Sequence, residues 1–158
     1  MNKKQVLDIS TEKLIKTMVF HGANSAAIMI YQAGKLVHYK SSYEQWQDFY
    51  SNDKASLSCH IAQSGIIHAK SHKRFSLIWD DLKPENDASL YLNEQREKYN
   101  HCHGISICES LPNDVLFSII LTGRRCDINF AQIVINNKIA VNHELNKFKY
   151  RNCLSSPN

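Results

Sequence analysis

Residues 104–123, GISICESLPNDVLFSIILTG, give the clearest indication of the type of fold. Two apolar runs, 104–108 and 115–123, flank the segment ESLPND, in which Pro, Asn and Asp are typical turn residues. Two such runs joined by a short turn predict a β-hairpin. The earlier stretch SAAIMIYQAGKLVHYK at 25–40 has the same form, with QAGK as its turn. Two hairpins predict an antiparallel sheet.

Helical patterns surround the first hairpin. Residues 10–12, Ser-Thr-Glu, offer a helix start, and the apolar stripe that follows ends at the His-Gly pair 21–22. After the hairpin, Tyr43, Trp46 and Tyr50 recur at helical spacing. This spacing predicts a helix with three aromatic side chains along one face.

The middle of the chain shows weaker patterns. Residues 56–72 predict a second helix with Gly65 as a candidate break. The segment RFSLIWDD predicts a short strand that ends near Trp79. A polar helix follows over 88–99, with Asp87 as its cap.

The last predicted element is a long amphipathic helix over 127–151, capped by Asp127. Its apolar residues nearly encircle it, so we expect it to pack against the sheet and against a second copy of the chain. Helices before, between and after antiparallel hairpins predict an α+β fold with helices on both faces of the sheet, as in sensor domains of the PAS and GAF type. The expected buried stripe of the final helix is Ile128, Ala131, Val134 or Ile135, Ile139 and 141–145.

Composition limits the classes of function. The 158 residues, 43% apolar and 22% charged, suit a single domain, which we place at 1–152 with a disordered tail at 153–158. The net charge of +4 is spread along the chain, without the basic stripe of a nucleic-acid-binding domain. There is neither a signal peptide nor an apolar run long enough to span a membrane. With an odd count of five cysteines, we expect a cytoplasmic protein that contacts neither nucleic acid nor membrane.

The segment HCHGISIC at 101–108 raises the alternative of a metal or redox sensor. Zinc sites usually take four N or S ligands in paired spacings such as C-x₂-C, and this chain has no such pair. We therefore expect no metal or other cofactor, and a buried strand in which Cys108 packs as a small apolar residue. No nucleophile elbow or P-loop is present, so no enzyme is predicted. The candidate ligands of the alternative are His101, Cys102, His103 and Cys108, with Cys59 and His60.

Over about residues 10–150, the order of elements resembles the autoinducer-binding domain of LuxR-type quorum-sensing regulators. In that family the helix after the first hairpin carries a Trp and a Tyr four residues apart, as Trp46 and Tyr50 are. A later Trp closes an extended run, as Trp79 does. The family signature Gl..Gi.ip is similar to NHCHGISIC, with Asn100 at the first glycine and Gly104 at the second. Asn tolerates positive φ better than other non-glycine residues.

The resemblance implies a five-stranded antiparallel sheet between helical layers, with an acyl-homoserine lactone buried against the sheet. It implies that Trp46 donates a hydrogen bond to the lactone carbonyl, while Tyr50 and Trp79 line the pocket. Ser118 or Thr122, on the last strand, would supply a further polar contact to the ligand.

Two family positions differ in this chain. The aspartate that receives the ligand amide corresponds to Ser64, counting back from Trp79, and a serine cannot offer the charge-assisted hydrogen bond of a carboxylate. The tyrosine that precedes the first Trp corresponds to Ser42, with Tyr43 one place away. The expected ligand is therefore an acyl-homoserine lactone or another amphiphilic molecule.

These observations predict a small-molecule sensor domain for quorum-sensing-type transcription regulation, one that forms a homodimer. The helix-turn-helix domain that follows in the family does not appear in this sequence, so we expect either a fragment of a longer regulator or a solo ligand-binding domain. A solo domain would either pair with a full-length LuxR-type regulator or have lost transcriptional control. Two alternatives remain open. One is a ligand-free interaction module of the same fold that acts as a decoy, and the other is the metal or redox sensor.

Overall fold

The structure is a computed structural model that describes residues 1–52 and 55–152, so the tail expected at 153–158 lies outside the described residues. None of the described helices combines the length and the hydrophobicity needed to cross a membrane. The elements in chain order are α1 (Lys3–Phe20), β1 (Ser25–Gln32), β2 (Lys35–Ser41), α2 (Glu44–Asn52), α3 (Ala55–Ser58), α4 (His60–Ala69), β3 (Arg74–Ile78), a 3₁₀ turn (Trp79–Asp81), α5 (Asp87–Lys98), β4 (Cys102–Leu111), β5 (Val115–Gly123), α6 (Phe130–Asn136) and α7 (Lys138–Arg151).

The five strands form one antiparallel sheet in the order β2-β1-β5-β4-β3. Both predicted hairpins are present. The β1–β2 turn places Ala33 and Gly34 at positive φ, which suits the twist of a tight hairpin. Asn113 and Asp114 likewise have positive φ in the turn between β4 and β5. Pairing of β1 with β5 joins the two hairpins at the centre of the sheet.

Helices cover both faces of the sheet, which confirms the predicted α+β class. Alternation along β1 separates two cores, because successive side chains point to opposite faces. Ile28 and Ile30 belong to the core under α1, α6 and α7, together with Phe117. Met29 and Tyr31 belong to the core under the helices between β2 and β4. The candidate site lies in this second core.

The N-terminal helix begins earlier than residues 10–12 indicated. It starts at Lys3 with Asn2 as N-cap, and a capping box links Asn2 and Gln5 at 2.9 Å in both directions. Thr11, in the predicted start, is fully buried inside the helix. The helix ends at His21 as expected.

The cap of α5 is Asn86, one residue before the predicted Asp87. The Asn86 Oδ1 accepts from the Ser89 backbone N–H at 2.9 Å. Gly65 does not break a helix, because it lies inside α4. A Cβ added at Gly65 would lie 3.7 Å from the Leu116 side chain, which is an ordinary contact distance. The break falls at Cys59 instead, whose backbone is extended and whose Sγ accepts from the Ala62 N–H at 3.3 Å.

The predicted final helix is two helices. They meet at Asn137, whose backbone leaves helical geometry and whose Nδ2 donates to the Ile133 carbonyl at 2.8 Å. Asp127 accepts from the Arg124 N–H in the preceding turn, so it does not cap the helix. Ile128 and Ile139, expected in the buried stripe, are 69% and 83% exposed. Ala131, Val134 and Leu145 are buried as predicted.

Candidate ligand-binding site

A cavity lies between the sheet and the helices α2, α4 and α5. The space inside it that the centre of a water molecule can reach is about 40 Å³, enough for about three waters. Alternate residues of each strand reach it, as the twofold period of a strand requires. The lining is Ser25, Ala27, Met29 and Tyr31 on β1, Tyr39 and Ser41 on β2, Ser106 and Cys108 on β4, Leu116, Ser118, Ile120 and Thr122 on β5, Leu77 on β3, and Trp46, Tyr50, Cys59, Ile61, Ala62, Gly65, Trp79, Arg96 and His101 from the helical layer and its connections.

Aromatic rings form one end of the cavity. Trp46 and Tyr50 are buried on α2 with ring centroids 5.9 Å apart. Tyr39 packs on Tyr50 at 5.0 Å, and His101 meets Trp46 edge-on at 5.6 Å. The helical spacing that predicted a shared face for Trp46 and Tyr50 is therefore present, and both side chains line the cavity.

Two of the predicted binding residues do not line this cavity. Tyr43 precedes α2, is 44% exposed, and packs edge-on against Tyr99 at 5.8 Å. Ser64 is half-buried on α4, and its carbonyl oxygen accepts from His68 at 2.8 Å. The α4 residues that reach the cavity are Ile61, Ala62 and Gly65, because the helix turns Ser64 away from the sheet. Cys59, at the start of α4, lies at the cavity wall instead.

Ser118 and Thr122, the two residues of β5 that were predicted to offer a polar contact, both line the cavity. The Ser118 hydroxyl lies 3.4 Å from the Cys108 Sγ, and the Thr122 hydroxyl lies 2.5 Å from that of Ser25. Trp79 follows β3 and donates its indole N–H to the Ser106 hydroxyl at 2.9 Å. Five of the seven predicted binding residues thus line one cavity, while their contact with a ligand remains a prediction.

Arg96 on α5 lines the cavity, and the sequence analysis did not predict it as a binding residue. Its side chain is 4% exposed and lies beside the rings of Trp46 and Trp79, at 5.8 Å and 5.3 Å. Its Nη2 donates to the Cys59 Sγ at 2.8 Å. A signal for it existed, because Leu92 and Arg96 are four residues apart and share the buried face of a polar helix.

Several polar atoms of the cavity walls are buried without a hydrogen-bond partner among the described residues: the hydroxyls of Tyr31 and Tyr50, Nη1 of Arg96 and Nε2 of His101. Burial raises the pKa of both tyrosines above the usual value. Burial, with a contribution from the Arg96 charge, lowers the pKa of His101 to about 4. At neutral pH the phenols and the imidazole are therefore uncharged hydrogen-bonding groups.

The turn that leads into β4 has special backbone geometry. Asn100 has a φ of 58°, which agrees with its place at a glycine position of the family signature. Its side-chain oxygen accepts from the Arg125 N–H at 2.8 Å. Gly104 lies under Trp79, and a Cβ there would sit 2.3 Å from the Trp79 Cε3. The glycine is thus required for the indole to reach the cavity wall.

The cysteines and histidines of 101–108 do not converge. Among residues 1–52 and 55–152, no group of three or more His, Cys, Asp or Glu side chains could hold a metal ion. His103 lies 2.8 Å from Asp80, whose hydrogen bond raises the pKa of the imidazole. Cys108 is buried, and burial raises the pKa of its thiol to about 11.

No protein-family model and no curated protein matches this sequence. Solved structures do match it. Escherichia coli SdiA aligns over 100% of this chain and 66% of its own, with a TM-score of 0.56 and 15% identity. SdiA in complex with octanoyl-rac-glycerol aligns over 100% and 64%, with a TM-score of 0.59 and 12% identity. This chain therefore spans a little under two thirds of the SdiA chains.

Two further structures align over nearly their whole length. CepR2 from Burkholderia cenocepacia, an N-acylhomoserine-lactone-dependent LuxR-family transcription factor, has a TM-score of 0.60 at 10% identity, over 92% of this chain and 94% of its own. The VqsR ligand-binding domain from Pseudomonas aeruginosa has a TM-score of 0.51 at 14% identity, over 92% and 96%. At these identities the likeness establishes the fold. The resemblance drawn from the sequence is confirmed at that level: this chain has the fold of LuxR-family ligand-binding domains.

Proposed function

We propose that the chain is a sensor domain that binds a small amphiphilic molecule in the cavity between the sheet and α2, α4 and α5, in quorum-sensing-type transcription regulation. The observation that carries the proposal is the composition of the cavity wall. Trp46, Tyr50 and Trp79 supply aromatic surface, and unpartnered polar atoms lie among them. An apolar pocket with a few convergent polar groups is typical of a small-molecule site.

The polar atoms also indicate that the cavity is costly to leave empty. A buried donor or acceptor without a partner costs about 1–3 kcal/mol, and four such atoms belong to the lining residues. A ligand that satisfies them stabilises the folded form by mass action, by about 3 kcal/mol at a hundredfold excess over Kd. The signal would be read out as persistence of the folded or paired protein.

The present volume requires the cavity to widen on binding. A space of about 40 Å³ is too small for an acyl chain, since drug-sized ligands occupy clefts of about 300 Å³ or more. The outer layer can supply the room, because α3 and α4 are short and meet at Cys59, whose backbone is extended and not helical. We therefore place the movement in these helices and not in the sheet.

Thermal denaturation against acyl-homoserine lactones of increasing chain length, with octanoyl-glycerol alongside, tests the proposal. SdiA binds octanoyl-rac-glycerol in its solved complex, which makes that compound a useful non-lactone probe. A rise in melting temperature is expected in the unmodified protein and not in Ala62→Trp, which fills the cavity from α4. Gln63→Trp, exposed on the same helix, is the matched control and should keep the rise. A rise that survives Ala62→Trp would place binding elsewhere.

A second candidate is an interaction module that pairs with another copy or with a full-length LuxR-type regulator and needs no ligand. The small volume of the cavity favours it, and so do three exposed isoleucines near the C-terminal helices. Ile128, Ile133 and Ile139 are 69%, 57% and 83% exposed. Ile128 and Ile133 line one surface groove, and contiguous exposed apolar surface often marks a protein-protein contact.

Sedimentation at micromolar concentration tests the second candidate. Association is expected to be lost in Ile133→Glu and kept in Ile67→Glu, an equally exposed isoleucine on α4. A monomer at all concentrations would contradict the homodimer, and mixing with a full-length regulator would then test pairing between different chains.

A further inference from the structure

We propose that the ligand of this cavity is an anionic amphiphile whose carboxylate is held by Arg96. The inference rests on the proposed sensor function and adds the charge of the ligand to it. It starts from a buried guanidinium that lacks an acidic partner among the described residues.

Arg96 carries a full positive charge at physiological pH and is 4% exposed. Among residues 1–52 and 55–152, no carboxylate oxygen lies within 4.0 Å of it, since it takes part in none of the ion pairs there. Two acidic side chains, one adjacent to Arg96 in the chain and one adjacent to Trp79, are engaged with other groups. Glu97 pairs with Arg125 at 4.0 Å, and Asp80 pairs with His103 at 2.8 Å.

The present contacts of Arg96 do not compensate this charge. The rings of Trp46 and Trp79 attract the cation through their π faces. The Cys59 sulfur accepts one N–H of Nη2, and a thiol sulfur is a weak acceptor. Nη1 is buried with no partner. A buried charge is normally paired, so the missing partner is expected to come from outside the chain.

The geometry suits a carboxylate. The guanidinium lies over both indole rings, Arg96 lines the cavity, and its Nη1 is buried without a hydrogen-bond partner. A guanidinium offers parallel N–H donors that match the two oxygens of a carboxylate. Tyr50 and His101, neighbours of Trp46, add buried polar atoms without partners.

Nothing acidic in the lining opposes an anion. No Asp or Glu belongs to the lining residues, and Arg96 is the one charged residue there in the part of the chain that the structure describes. His101, whose pKa is lowered, contributes no charge at neutral pH. The apolar remainder, including Met29, Leu116 and Ile120, suits an alkyl or acyl tail. A carboxylate with an apolar tail satisfies both parts of the cavity.

A matched pair of probes isolates the carboxylate. N-decanoyl-homoserine and N-decanoyl-homoserine lactone share the acyl chain and the amide, and only the ring-opened acid is an anion. Isothermal titration calorimetry with the whole chain is expected to show the acid binding about tenfold more tightly or better, as the difference between a charge-assisted and a neutral hydrogen bond implies.

Arg96→Met should remove the preference for the acid, while Arg125→Met keeps the preference. Arg125 is the matched control because its guanidinium is exposed on the surface. If Arg96→Met does not fold, Arg96→Lys and the acid-to-lactone ratio of the unmodified protein remain informative. A lactone that binds as tightly as the acid overturns this inference and leaves the sensor function standing. Binding of neither probe, together with no thermal shift from octanoyl-glycerol, overturns the sensor function itself.

Discussion

Replacing Gly104 by alanine tests how the cavity wall is built. The added Cβ would lie 2.3, 2.4 and 2.8 Å from Cε3, Cδ2 and Cε2 of Trp79. An ordinary carbon-carbon contact begins near 3.5 Å, so the indole must move by about 1 Å. The backbone of Gly104 does not lie at positive φ. The expected loss therefore arises from the contact with Trp79 and not from backbone strain.

The magnitude follows from what the displaced ring loses. Overpacking of a core costs about 1–3 kcal/mol. The hydrogen bond from Trp79 to Ser106 at 2.9 Å would also break, which costs about 1 kcal/mol more. Gly104→Ala should thus lower the free energy of unfolding by about 2–4 kcal/mol. Urea denaturation followed by tryptophan fluorescence, with an unchanged m-value, measures it.

Two further variants isolate the cause. In a Trp79→Leu background the indole ring is absent, so Gly104→Ala should lower the free energy of unfolding much less. The double-mutant cycle should show a coupling free energy of about 1–3 kcal/mol between the two positions. Gly65→Ala is the matched glycine control, because its Cβ would meet Leu116 at 3.7 Å and Leu77 at 3.8 Å. Inside α4 it should stabilise the protein by up to about 1 kcal/mol. An equal loss for Gly104→Ala with and without the Trp79 ring would refute the reasoning.

Three other perturbations have defined outcomes. The native pKa of His101 is about 4 against 6.5 unfolded, so the unfolded state binds more protons between these values. Stability should fall by up to about 3 kcal/mol as the pH drops from 6.5 to 4, and urea denaturation of His101→Gln should show a smaller fall. Lys149→Met would leave the buried Glu109, which Lys149 contacts closely, with only the exposed Arg74. A loss of about 3–5 kcal/mol is expected, and denaturation of the variant that also carries Glu109→Met should recover most of it. Asn100→Ala, at a φ of 58°, should be about 1 kcal/mol less stable than Asn100→Gly by the same assay; equal stability of the two would contradict the backbone argument.

The hairpins and the aromatic helix were predictable because their signals are local. The alternation of apolar residues in 104–123 and 25–40 and the turn residues between the runs act within a few positions. Trp46 and Tyr50 lie four residues apart, so one helical turn puts them on the same face. Asn100 could also be predicted, since tolerance of positive φ is a property of the residue itself.

Helix ends were predicted less well because several residues compete to be the cap. Asn86 caps α5 in place of the adjacent Asp87, and Asn2 starts α1 well before Ser10. Each segment contains more than one residue with a suitable side-chain oxygen. The choice depends on which start buries the apolar stripe against the sheet, as for Thr11, which lies fully buried inside α1.

The cavity itself could be predicted only in part. The sequence by itself determined an α+β fold, two hairpins and an aromatic helix face, because residue preferences and periodicity act over short distances. Tertiary contacts set which α4 residues reach the cavity, namely Ile61, Ala62 and Gly65 and not Ser64, and they bring Arg96 into it from α5 beside Trp46 and Trp79. These placements depend on how each helix is rotated against the sheet, which is set by contacts between residues distant in the chain.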